Sequence, residues 1–149
     1  MPDRIVVGVD GSDGARVALE WAVEEARLRG APLVAVHAWQ APPLGMVGGP
    51  FDAPSIPDPQ LMERVEAGAK QLLEQELAAV DTSGIEVESV VEPRNPADAL
   101  LDAARGARLL VVGTRGHGGF KGLLLGSVSQ QASNHAPCPV VIVPPPGKE

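Results

Sequence analysis

The sequence predicts a single α/β domain with a largely parallel sheet covered by helices on both faces. Three observations predict it. Short apolar runs alternate with stretches of helical periodicity along the whole chain, and all but one of the runs are apolar throughout, as expected of strands buried on both sides. The 149 residues suffice for one core, since a chain of this size buries about 68 to 70% of the surface it exposes when unfolded.

The first run is IVVGV, from Ile5 to Val9, ending at Asp10-Gly11-Ser12. Ala15, Ala18, Leu19, Ala22 and Ala26 then recur at helical spacing, with Ser12 or Asp13 available as N-cap and Gly30 as the stop. Leu33 to Ala38 is a second strand. The following stretch holds Pro42, Pro43, Pro50, Pro54, Pro57 and Pro59, so residues 41–59 are read as a proline-rich loop and not a regular element. Leu61, Val65, Ala69, Leu72, Leu73, Leu77 and Val80 mark one long amphipathic helix.

Ile85 to Val91 begins with apolar and polar residues in alternation, which implies a wetter face and an edge position in the sheet. Asn95-Pro96 supplies an N-cap and a first-turn proline for a helix carrying Ala97, Leu100, Leu101 and Ala104. Leu109 to Val112 is the fourth strand. Val128, Ala132, His135 and Ala136 form one face of a last short helix, with His135 read as a core histidine. Val140 to Val143 is the fifth strand. If it lies at an edge, its VVIV offers open backbone groups beside apolar side chains. Pairing with the same strand of a second copy would cover them, so a homodimer through Val140 to Val143 is expected.

Composition narrows the function. With 44% hydrophobic and 21% charged residues the chain reads as globular, and with 3% aromatics and no Tyr its core must be aliphatic. A formal charge of -7 speaks against nucleic acid or an acidic membrane surface as partner. Cys138 is the only cysteine and sits between two prolines, an inert residue by this reading. No apolar run approaches the roughly 18 residues of a membrane span, and no signal peptide is evident. The cytoplasm is therefore the expected location.

The stretch LLVVGTRGHGGFKGLLLGSVS, from Leu109 to Ser129, carries the chemistry. A buried strand feeds a glycine-rich loop that closes on a helix start, and backbone N–H groups with a helix N-terminus suit a phosphate. The P-loop pattern fails, because no Gly-Lys pair in this loop precedes Ser or Thr. The dinucleotide fingerprint fails too: Gly116 and Gly118 are followed by Lys121 where a third glycine is needed.

The spacing that does fit is Gly113-x-x-Gly116, nine residues, then Gly126-Ser127. With VVGVDGS near the start, VAVHAW in the middle and HAPCPVVIVP at the end, the chain resembles the universal stress protein family, in particular its ATP-binding branch. The resemblance implies an adenine nucleotide α-hydrolase-like fold, a five-stranded parallel sheet in the order 3-2-1-4-5. It implies that Val9 and Asp10 hold adenine and ribose and that the backbone of Ala38 reads the adenine edge. Gly113, Gly116 and His117 would line the phosphates. Gly126, Ser127, Val128 and Ser129 would meet them with helix-start N–H groups and hydroxyls. Arg115 and Lys121 are close enough in sequence to add charge, while Gly118, Gly119 and Gly122 are read as loop flexibility.

Structural alternatives stand beside these roles. Asp10 could cap the first helix, Ser127 could be a plain N-cap, and His117 could be a solvent-facing bystander. The implied function is an ATP-binding regulator of the stress response, with or without Mg2+ and at most weakly hydrolytic. Two alternatives are a slow ATP hydrolase or nucleotidyl-transfer enzyme and an interaction module that binds no nucleotide.

Overall fold

The computed structural model describes residues 3–40, 59–114 and 125–145. The strands are β1 (Ile5–Gly8), β2 (Leu33–Ala38), β3 (Val87–Glu92), β4 (Leu109–Gly113) and β5 (Val140–Val143). The helices are α1 (Asp13–Arg29), α2 (Pro59–Ala78), α3 (Pro96–Ala103) and α4 (Ser127–His135). The strands form one sheet in the order β3-β2-β1-β4-β5, every neighbouring pair parallel. The expected order is therefore observed, with the wetter third strand at an edge.

Alternation along the strands builds two apolar layers. Ile5, Val7, Leu33, Ala35, Leu109 and Val111 face α1 and α2, where Ala18, Leu19, Ala22, Val23 and Leu73 meet them. Val6, Val34, Val36, Leu110 and Val112 face α3 and α4, against Ala99, Leu100 and Ala132. The core is made of aliphatic residues and alanine, as the shortage of aromatics requires.

The turn chemistry follows the sequence closely. Ser12 caps α1, its hydroxyl accepting from the Ala15 N–H at 3.1 Å, and Gly30 ends the helix in the left-handed conformation at φ 63°. Asn95 caps α3 by accepting from the N–H groups of Ala97 and Asp98 at 3.0 and 3.3 Å. At the other end of α3, the Arg4 guanidinium donates to the carbonyls of Ala103, at 3.1 Å, and Arg105, putting a cation at the negative end of the helix.

Four boundaries and placements differ from expectation. Pro59 is the first residue of α2 and not part of the loop, because proline's fixed φ and missing N–H cost nothing in a first helical turn. Residues 41–58 lie outside the described residues. The third strand starts at Val87, since Ile85 belongs to the turn around Gly84, its N–H donating to Thr82. The long helix ends at Ala78, and Val80 already donates to Leu77 in a tighter turn. His135 is exposed at the last residue of α4, so Ala132 and Val128 do the packing on that helix and His135 is not a core residue.

Candidate functional site

In this strand order β1 and β4 are neighbours at the point where the direction of winding reverses, and sheets of this kind take their ligands in a crevice beyond the carboxyl ends of such strands. The register aligns Gly8 with Val36, and the Val9 N–H continues the ladder to the Val36 carbonyl at 2.8 Å. Val9, Asp10 and the end of β2 at Ala38 therefore share one end of the sheet with Gly113 at the end of β4.

Asp10 is half-buried and does not cap α1, which Ser12 does. Its carboxylate accepts from the Ser12 N–H at 2.9 Å and from the Ser12 hydroxyl, an Asx-type turn that Gly11 permits at φ 84°. The turn fixes the carboxylate at the rim of the crevice.

Gly113 has a packing reason for being glycine. A Cβ there would lie 2.7 Å from the Gly14 carbonyl oxygen and 2.9 Å from its carbon, so α1 packs its first turn directly on the end of β4. From Thr114 the chain enters the glycine loop, and the two ends of that loop are tied together. The Thr114 carbonyl accepts both the Gly126 N–H, at 2.6 Å, and the Ser129 hydroxyl, at 2.9 Å.

That tie corrects two expectations. The Gly126 N–H closes the loop and is not a free donor for phosphate. The Ser129 hydroxyl is buried and shared between the Thr114 and Gly126 carbonyls, so it braces the helix start from inside. Gly126 is the N-cap, which makes Ser127 the first helical residue, exposed, and not the cap.

Because a glycine cap has no side chain, the cap residue of α4 makes no side-chain bond to the first turn, in contrast to those of α1 and α3. The first hydrogen bond within α4 runs from Gln130 to Gly126, which leaves the Ser127, Val128 and Ser129 N–H groups beyond the helix ladder. They carry the partial positive charge of a helix start. Gly116 and His117 lie outside the described residues, as do Arg115, Gly118, Gly119, Lys121 and Gly122.

Two neighbours of the site escaped the sequence reading. His37 is buried in β2 and its Nδ1 lies 2.8 Å from the Val9 carbonyl oxygen. A carbonyl only accepts, so Nδ1 carries the hydrogen and pins the end of β1 from the side. A histidine inside the apolar run LVAVHA was the available signal, since a buried imidazole needs a partner. Trp39 follows directly, its backbone N–H donating to the Glu92 carbonyl at 3.0 Å. Cys138 is half-buried away from this crevice, and burial pushes its thiol pKa up, which keeps it protonated at neutral pH.

The comparison with known proteins agrees with the geometry. The family model for the universal stress protein family matches residues 1–144. The chain belongs to the universal stress protein family. A universal stress protein of Mycolicibacterium smegmatis is 38% identical over 147 residues, covering 95% of this chain and 45% of the relative. One of Thermus aquaticus is 39% identical over 142 residues, covering 93% of this chain and 96% of its own length. The chain thus spans about half the length of the mycobacterial relatives it matches.

Solved members share the fold. Universal stress protein UspA from Lactobacillus plantarum superposes with a TM-score of 0.74 at 26% identity, covering 95% of this chain and 97% of its own. A universal stress protein in complex with cAMP gives 0.61 at 26% identity over 96% of this chain and 97% of that one. The member from Archaeoglobus fulgidus in complex with dAMP gives 0.55 at 27% identity, over 95% and 97%. The architecture of this universal stress protein is accordingly the adenine nucleotide α-hydrolase-like fold.

Proposed function

We propose that this universal stress protein binds an adenine nucleotide, ATP in the first place, across the carboxyl end of its sheet and acts as a nucleotide-dependent regulator. The observation that carries the reading is the start of α4 on a glycine cap, held beside the end of β4 by two hydrogen bonds to the Thr114 carbonyl. Three first-turn N–H groups outside the helix ladder suit phosphate oxygens. Asp10, fixed on the neighbouring strand, suits ribose hydroxyls as a carboxylate acceptor. Val9 and Ala38 border the remaining space, where the base would lie. Family members seen with cAMP and dAMP support the ligand class.

In this reading Gly113 and Gly116 keep the loop backbone close to the phosphates and His117 adds a polar contact, with Mg2+ an optional companion of the triphosphate. The protein works in the cytoplasm and pairs with a second copy through β5.

Titration calorimetry with ATP, ADP, AMP and cyclic AMP tests the proposal. Saturable heat is expected with at least ATP, and Asp10→Ala should weaken binding about tenfold or more, a loss typical of a hydrogen bond to a charged group. No heat from any of the four at millimolar ligand would contradict the reading.

A further inference from the structure

We propose that the indole N–H of Trp39 is the donor that recognises the base of the nucleotide, through one of its ring nitrogens. The inference rests on the nucleotide reading and names a specificity-determining residue within it. Among the described residues, Trp39 Nε1 is the only buried side-chain nitrogen or oxygen with no hydrogen-bond partner. Buried polar atoms are otherwise satisfied almost without exception in folded proteins, so an orphan at the rim of a crevice calls for a partner. Indole nitrogen is a donor only, which restricts that partner to an acceptor.

The order of strands says which acceptor. The start of α4 and the end of β4 lie on one side of β1, and β2 lies on the other. A nucleotide with its phosphates at α4 and its sugar at Asp10 must extend its base over the end of β2, where Trp39 follows Ala38. Adenine offers N1, N3 and N7 there as acceptors. The other ring donor at this end of β2, His37 Nδ1, is already held by the Val9 carbonyl, so it does not compete. Trp39 as a whole keeps partial exposure, beyond the last sheet residue.

Trp39→Phe keeps a ring and removes the donor. It should bind ATP about tenfold more weakly, the upper range for one net hydrogen bond, with an unchanged melting temperature. Of 1-deaza-, 3-deaza- and 7-deaza-ATP, one should bind the natural protein about tenfold more weakly than ATP, yet bind Trp39→Phe as well as ATP does. In a Trp21→Phe background, which leaves Trp39 as the sole tryptophan, ATP should shift the emission. Wild-type affinity in Trp39→Phe would overturn the proposal while leaving nucleotide binding intact. So would an equal loss with every deaza analogue in both proteins. A natural protein that binds no adenine nucleotide would instead overturn the reading beneath it.

Discussion

Gly113 carries a packing requirement that the structure shows and, in the proposed nucleotide reading, a second one. The sequence motif marks it as a place where backbone meets phosphate, and the structure shows that α1 occupies the space a side chain would need. Gly113→Ala forces the Cβ against the Gly14 carbonyl, a backbone group that cannot rotate away. Urea denaturation should show a loss of about 1 to 3 kcal/mol, the usual range for overpacking, before any effect on ligand is considered. The variant is thus a stability probe, and Asp10→Ala is the cleaner test of binding. At this scale the sequence was only partly legible. Asp10 and the α4 start could be placed from motif and spacing, whereas the inward turn of the Ser129 hydroxyl, the His37 bond to Val9 and the unpartnered Trp39 nitrogen depend on contacts between residues far apart in the chain.

Among the elements, the contrast between helix starts organises the site. Asn95 satisfies two N–H groups of α3 and Ser12 one of α1, while α4 begins on a glycine that satisfies none through a side chain. The first two starts serve the fold. Asn95→Ala should therefore lower the unfolding free energy by about 0.5 to 2 kcal/mol in urea titration, with ATP affinity unchanged. Elements were the most legible level because caps, stops and periodicity are local. The errors fell where local rules compete: Pro59 reads equally as loop or first helical turn, and His135 keeps helical spacing with Ala132 yet falls at the helix end, where it stays exposed.

For the whole molecule, the strand order brings together Asp10, Ala38 and Gly113 from distant parts of the chain. Alternation of strand and helix predicted the layers, but the order of strands came from the resemblance, since apolar runs alone do not say which strands are neighbours. β5 lies at one edge with Val140, Val141 and Ile142 only partly buried, so its outer edge and both its faces invite cover. Sedimentation should show a dimer at micromolar concentration, and Ile142→Lys should shift it to monomer. A monomeric natural protein, with or without nucleotide, would refute pairing through β5.

In the proposed reading an adenine nucleotide spans the sheet end with its phosphates at the start of α4. Amide chemical shifts of the 15N-labelled protein titrated with ATP test it most directly. The largest changes should fall on the N–H groups of Ser127, Val128 and Ser129 and on Asp10 to Ser12, with the turns at Gly30, Gly84 and Gly106 unmoved at the opposite end. Shifts confined to those turns, or none at saturating ATP, would contradict the account.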